Sequence, residues 1–227
     1  MNGEIQKVNE QDDKKKAKLE IFIVVFLGLT AVFTAWASWQ AALYGSRQDT
    51  KYTQSNAVIS EANSMYNEAS QYLQQDMTLW NQIMGLQLDL AFAEENGDTD
   101  ETEKLSYKIN QIMIDSVSEE LMEAIEWADA QEEYASPFDK EGFVESYFID
   151  AQDKFAEGDE LLSSGMADNT AGDKLGLISV LYSVVLFLLG ITSSFKSLKV
   201  QYAAVIISLV CFIGASAFML TIPPLFF

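Results

Sequence analysis

The chain has 227 residues, of which 34 are acidic and 14 basic, and it contains one cysteine and no histidine. Without histidine it cannot form a Ser-His-Asp triad, a histidine-ligated zinc site or a Glu-x-x-His di-iron site, so we expect no enzyme, no cofactor and no metal centre. The formal net charge of −20 repels nucleic acid, so we expect no nucleic-acid partner.

The charge is concentrated in one region of the chain. Residues 44–174 carry 29 of the acidic residues and 7 of the basic ones, which gives this region a net charge of −22. Such a composition predicts an acidic, water-facing domain next to membrane segments. The charge either keeps the domain soluble or attracts a basic protein partner or divalent cations.

Three apolar segments are long enough to cross a lipid bilayer, which needs about 20 residues. They comprise residues 21–43, 175–195 and 202–222, and none of them contains Asp, Glu, Lys or Arg. In lipid every backbone N–H and C=O group must be paired within the segment, so each segment is predicted to be a helix. The bilayer is therefore the first expected partner.

Basic residues near the spans predict how the chain is oriented in the cell membrane. Cytoplasmic segments are enriched in Lys and Arg. Four lysines precede the first span and two lie between the second and third: Lys14, Lys15, Lys16, Lys18, Lys196 and Lys199. We therefore expect residues 1–20 to be a cytoplasmic tail, 44–174 an exoplasmic domain, 196–201 a cytoplasmic turn and 223–227 an exoplasmic tail.

The end of the first span has two interpretations. Ala35-Trp36-Ala37 resembles the small-residue cleavage site of a secretory signal, which would remove the span. The apolar run nevertheless continues to Leu43, and Trp36, Trp39 and Tyr44 are typical of residues that anchor a helix at the membrane interface. We favour a span that is retained, and either alternative exports the acidic domain.

The acidic domain is predicted to be helical throughout and to form a long, coiled-coil-like hairpin. Apolar residues recur every seven positions along its first helix, and Ser55 and Asp76 interrupt the pattern: Tyr52, Ile59, Tyr66, Leu73 and Trp80. A polar turn follows at residues 94–100. We expect a second helix from about Asp100 to Ser136-Pro137 and a third from about Lys140 to Ser164, with Gly165 as its stop.

The turn at residues 96–103 resembles the start of a calcium-binding loop. Asn96, Asp98 and Asp100 alternate as calcium ligands do, but Glu101 replaces the expected glycine and Tyr107 replaces the expected bidentate Glu. An acidic turn between two helices is therefore the favoured interpretation, with weak binding of divalent cations as the alternative.

Small and hydroxylated residues line one face of each span. Thr30, Thr34 and Ser38 share a face of the first span, and Ser179 and Ser183 share a face of the second. Small residues allow helix backbones to approach closely, so these five residues are predicted to pack helices together, including helices of a homo-oligomer. Alternatively, they line a pore.

Several segments resemble a group of small prokaryotic membrane proteins with one N-terminal and two C-terminal spans. The resemblance lies in residues 36–42, 155–159, 172–173 and in the Leu-Phe-Leu-Leu-Gly-Ile run that ends at Ile191. It implies the same arrangement of spans, and it assigns no activity and no functional residue.

Together these patterns predict an all-α protein with three membrane-spanning helices and an acidic exoplasmic domain. The predicted function is that of a non-enzymatic scaffold, sensor or interaction module. The alternative is an oligomeric pore or cation channel whose acidic vestibule concentrates cations.

Overall fold

The computed structural model describes the backbone of residues 2–226 and the side chains of residues 14–226. This part of the chain is 86% helix and has no strand, which confirms the predicted all-α class. Phe227 and part of the predicted tail at residues 1–20 lie outside the described residues. The helices are α1 (Asn2–Glu95), α2 (Thr99–Asp115), α3 (Glu119–Asp129), α4 (Phe143–Ser146), α5 (Ile149–Thr192) and α6 (Leu198–Met219), with a 3₁₀ turn at Pro137–Asp139.

Helix α1 continues without interruption from the first span into the acidic region. No proline separates the two parts, and Gly45 at their junction lies within the helix, so the backbone hydrogen bonds run on to Glu95. The predicted polar turn follows, with Gly97 in the left-handed conformation at φ 71°. The Asp98 carboxylate then accepts a hydrogen bond from the Glu101 amide and caps α2.

The chain forms two compact units. The membrane unit comprises residues 1–53 and 161–227, and the acidic unit comprises residues 54–160. The acidic unit contains 26 acidic and 4 basic residues, so most of the negative charge lies within it.

The membrane unit contains helical segments long and apolar enough to cross a bilayer, in α1, α5 and α6. Between 17% and 33% of the most apolar window in each helix is buried inside the protein. Most of these apolar side chains therefore face outward, as lipid-facing side chains do. Examples on the three helices are Val24, Phe187 and Val210, each more than half exposed. These features identify a multi-pass membrane protein.

Aromatic rings form the centre of the membrane unit. The Phe212 ring on α6 lies 5.2 Å from Phe26, 5.1 Å from Phe33 and 5.3 Å from Tyr182, measured between ring centroids. The contacts with Phe26 and Phe33 are edge-to-face, which is a favourable geometry for aromatic pairs. Phe212 thus joins α6 to both α1 and α5.

The segment after α6 is held against α1 by hydrogen bonds to its backbone. The Gln40 side chain donates to the Leu225 carbonyl at 3.0 Å and accepts from the Leu225 amide at 2.8 Å. The Tyr44 hydroxyl donates to the Pro223 carbonyl at 2.7 Å. Both side chains are buried, so these bonds satisfy polar groups that water does not reach.

A buried ion pair joins α1 to α5. Asp168 is 6% exposed, and its Oδ2 lies 2.6 Å from Lys51 Nζ and 3.4 Å from Arg47 Nε. Lys51 also donates to the Ser164 hydroxyl at 2.6 Å. Removing Asp168 would leave Lys51 without its counter-ion, and removing Lys51 would leave the buried Asp168 with only the more distant Arg47.

The predicted stop at Gly165 is wrong, because α5 runs through it to Thr192. Gly165 instead allows α5 to approach α1: a Cβ atom added there would lie 2.6 Å from the ring of Tyr52. A glycine can end a helix or permit close packing, and only the tertiary contact distinguishes the two uses.

The single helix predicted from Asp100 to Ser136 is also wrong. The chain leaves the helix after Asp115 and starts α3 at Glu119, because the Ser118 hydroxyl accepts a hydrogen bond from the Leu121 amide and caps a new helix. This break allows α3 to pack on α1. The core of the acidic unit consists of Trp80, Ile83, Leu121, Ala124, Ile125 and Phe143.

We predict that Gly165→Ala destabilises the membrane unit relative to Gly176→Ala. Both substitutions replace a glycine inside α5 and gain similar helix propensity, but only the new Cβ at residue 165 meets another side chain. Overpacking should cost about 1–3 kcal/mol, which lowers the midpoint of thermal unfolding by several degrees. Circular dichroism of the two purified variants in detergent provides the comparison. Equal midpoints would contradict the assigned role of Gly165.

Candidate functional site

The two polar residues that interrupt the heptad pattern of α1 lie on its inner face. Residues 55, 62, 69, 76 and 83 form a line with seven-residue spacing, here called the inner line, in which every residue except Asp76 is buried. The Ser55 hydroxyl donates to the Gly158 carbonyl at 2.8 Å. Asp76 is half-buried, and it faces hydroxyl groups of other elements.

Asp76 lines a cavity of about 300 Å³ that opens to solvent at the surface of the acidic unit, where Tyr72, Glu120 and Ser146 are exposed. Its lining is composed of tyrosines, serines and carboxylates: Tyr72, Asp76, Ser118, Glu120, Ser146 and Tyr147. We name it the tyrosine-carboxylate cavity. Its size lies at the lower end of the range typical of small-molecule sites, about 300–1,000 Å³.

Each side of the cavity is positioned by a different element. Helix α1 supplies Tyr72 and Asp76, which are four residues apart and therefore lie on the same face. Ser118 is the N-cap of α3, so the break between α2 and α3 fixes its place. Tyr147 immediately follows α4, and Ser146 is the last residue of that short helix.

Asp76 accepts two hydrogen bonds through one oxygen. The Tyr147 hydroxyl donates to Oδ2 at 2.5 Å, and the Ser118 hydroxyl donates to the same atom at 3.4 Å. Oδ1 has no hydrogen-bond donor among the described side chains. The carboxylate is thus held in place through Oδ2 and retains acceptor capacity through Oδ1.

The hydroxyl groups of the cavity all donate to protein acceptors. Besides the two bonds to Asp76, the Tyr72 hydroxyl donates to Glu68 at 3.0 Å and the Ser146 hydroxyl donates to the Phe143 carbonyl at 2.6 Å. Since carboxylates are acceptors when ionised, all six lining side chains offer acceptors to the cavity. The pattern favours a ligand that donates hydrogen bonds.

The cavity is electrostatically negative. In the ion pairs found among the described residues of the acidic unit, the lysines contact Glu61, Glu101, Glu123 and Glu157, and none contacts Asp76 or Glu120. Burial, the hydrogen bond to Asp76 and the nearby charge of Glu120 raise the pKa of Tyr147 well above its usual range. Tyr147 therefore remains a hydrogen-bond donor throughout the physiological pH range.

The five hydroxylated residues predicted to pack helices lie in different environments. The Thr30 side chain is fully buried and donates to the Phe26 carbonyl at 2.8 Å, and Thr34 donates to the Thr30 carbonyl at 2.8 Å. The structure brings the hydroxyls of Ser38 and Ser179 together at 2.7 Å, across α1 and α5. Ser183 is exposed and donates to the Ser179 carbonyl at 2.9 Å.

The three predicted interfacial anchors also differ in how exposed their side chains are. Trp36 is 38% exposed, and its ring lies 5.0 Å from the ring of Trp39. Tyr44 is 3% exposed and hydrogen-bonded to Pro223, so it packs inside the membrane unit. Of the three residues, Trp36 has the most exposed side chain, so it is the best placed to contact the membrane–water interface.

The acidic turn at residues 96–103 uses Asp98 to cap α2. Among the described residues, no group of three or more carboxylate or cysteine side chains is arranged to hold a metal ion. The Asp98 cap gives the acidic turn a structural role at the start of α2.

Sequence reasoning identified Asp76 only as an irregularity and did not identify Ser118 or Tyr147 as site residues. A charged residue on an otherwise apolar helix face is the signal that could have led to the site, because such a residue needs a partner. The partners come from segments 42 and 71 residues away, and their positions depend on tertiary packing.

Comparisons of the chain with protein-family models, with curated proteins and with solved structures found no significant match. The functional interpretation therefore depends on the residues of this chain.

We predict that Tyr147→Phe destabilises the acidic unit by about 1–2 kcal/mol, because it removes a hydrogen bond from a half-buried carboxylate. Tyr134→Phe is the matched control, since Tyr134 is 78% exposed. Chemical denaturation of the full-length protein, followed by circular dichroism, measures the difference. If both variants unfold at the same denaturant concentration, the bond between Tyr147 and Asp76 contributes no stability.

Proposed function

We propose that the chain is a non-enzymatic membrane protein whose acidic helical domain acts as a sensor and interaction module in the exoplasmic space. The observation that carries this proposal is the separation of charge along the chain. Residues 44–174 have a net charge of −22, while three apolar helical segments are suited to the bilayer. A field of this strength attracts basic protein partners and divalent cations to the domain.

The proposed orientation rests on the lysines beside the spans. Lys14, Lys15, Lys16 and Lys18 precede the first span, Lys196 lies in the turn between α5 and α6, and Lys199 lies in the first turn of α6. The positive-inside rule then places residues 1–20 and 196–201 in the cytoplasm and residues 44–174 and 223–227 on the exoplasmic side. In this proposal the first span is retained, which the uninterrupted course of α1 supports.

We further propose that the acidic domain packs as a coiled-coil-like hairpin and that chains form a homo-oligomer. The inner line of α1 supports the first part, because four of its five residues are buried at seven-residue spacing. Exposed apolar side chains of the acidic unit support the second part, since Leu88, Phe92 and Ile114 are each more than half exposed.

A pore or cation channel is the second candidate function. The exposed Ser183 hydroxyl and the half-buried Thr34 hydroxyl favour it, because several chains together could place such groups around a water-filled path. We rank it second because both hydroxyls already donate to carbonyls of their own helices. The acidic domain would then concentrate cations near the pore.

We predict that a membrane-impermeant maleimide labels residue 98, but not residue 197, on intact cells. The natural Cys211 is first replaced by serine, and Asp98→Cys and Ser197→Cys are then introduced separately. Asp98, in the turn after α1, and Ser197, before α6, are both exposed, so a thiol at either position is accessible to the reagent when its side of the membrane is. Both variants should be labelled after the cells are lysed. Labelling of residue 197 alone on intact cells would invert the proposed orientation.

We predict that the purified protein is oligomeric in mild detergent. Because we expect this oligomer to form no pore, Thr34→Leu should leave ion flux in liposomes unchanged. Multi-angle light scattering gives the oligomeric state, and the release of a trapped ion gives the flux. Val32→Leu, at an exposed apolar position, is the control. Flux that is present in wild type and Val32→Leu but lost in Thr34→Leu would favour the pore.

A further inference from the structure

We propose that the tyrosine-carboxylate cavity binds a small organic ammonium ion. The inference deepens the proposed function, on which it rests, because it names the class of ligand that a sensor domain would detect. Three features of the cavity support such a ligand, namely its hydrogen-bonding pattern, its charge and its aromatic side chains.

The hydrogen-bonding pattern of the cavity favours a ligand that donates hydrogen bonds. The hydroxyl hydrogens of Tyr72, Ser118, Ser146 and Tyr147 are directed to protein acceptors, which leaves lone pairs for a ligand. Oδ1 of Asp76 lacks a donor among the described residues. A primary ammonium group has three N–H donors and no acceptor, so it complements such a surface. A phosphate or carboxylate ligand would find acceptors only.

The negative charge of the cavity favours a cationic ligand. Asp76 and Glu120 both line the cavity, and the ion pairs of the described residues leave both without a lysine or arginine partner. Asp76 is half-buried, so its interaction with a bound cation is screened less than that of a surface carboxylate. A bound ammonium ion would supply the missing counter-charge.

The aromatic side chains favour an organic cation over a metal ion. Tyr72 and Tyr147 line the cavity, and aromatic rings attract ammonium groups and bury apolar carbon. Calcium takes 6–8 oxygen ligands, whereas no cluster of three metal-binding side chains occurs among the described residues. A volume of about 300 Å³ also exceeds what a bare ion fills.

Calorimetric titration of the full-length protein in lipid nanodiscs tests the proposal, with phenethylamine as the probe and 2-phenylethanol as its neutral counterpart. Physiological ionic strength screens the general attraction of the acidic surface. We expect saturable binding of phenethylamine at millimolar concentrations, with one molecule per chain. 2-Phenylethanol should bind at least about tenfold more weakly, because it lacks the charge.

Asp76→Asn should weaken the binding of phenethylamine by about tenfold or more, as expected for the loss of a charge-assisted hydrogen bond. Asp89→Asn removes the same charge from an exposed position of α1 and should change the affinity by less than about twofold. Glu120→Gln, at an exposed edge of the cavity, should weaken binding by about two- to fivefold without affecting folding.

Equal affinities for the amine and the alcohol would overturn the proposal, as would equal effects of Asp76→Asn and Asp89→Asn, or no saturable binding at millimolar concentrations. If Asp76→Asn fails to fold, Glu120→Gln compared with Asp89→Asn decides the question in the same way. Failure of amine binding would leave the maleimide labelling unaffected, and an inverted orientation would leave the calorimetric result unaffected. The two proposals can therefore fail separately.

Discussion

The central constraint on this protein is that lipid cannot solvate a charge or an unpaired backbone group. Three apolar segments without a charged residue satisfy this constraint as helices, and the acidic residues are confined almost entirely to residues 44–174. The ion pair between Asp168 and Lys51, which lies outside the apolar segments, follows the analogous rule for a protein interior, because a buried carboxylate is paired with a neighbouring cation. Charge is thus either kept in water or paired.

The sequence predicted the features that are determined by whether a segment lies in lipid or in water. Apolar runs identify the helices that can cross the bilayer, because burial in lipid requires a minimum length whatever the tertiary contacts. The absence of proline is consistent with the continuation of α1 past the first span, and the polar residues around Gly97 predicted where α1 ends. These features follow from the local sequence.

The sequence did not predict features that depend on contacts between distant segments. The sequence around Gly165 is the same whether the glycine ends a helix or packs against Tyr52. Only the contact with Tyr52 distinguishes the two roles. Ser118 has a short side chain that can cap a helix, but the preceding residues contain no glycine or proline to indicate that α2 stops. Since Ser118 and Tyr147 complete the cavity, the candidate site was not predictable beyond Asp76.

The hydroxyl groups of the spans and Asp76 of the acidic unit differ in how completely their hydrogen bonds are satisfied, and this difference locates the function that we propose. In the spans, Thr30, Thr192 and Ser208 donate to carbonyls of their own helices. The Ser38–Ser179 and Tyr182–Ser216 pairs bond across helices, and such bonds contribute about 0.6 kcal/mol each. These groups therefore need no further partner. Asp76 in the acidic unit retains an acceptor and lacks a counter-ion among the described residues, so a cationic ligand would complete its interactions.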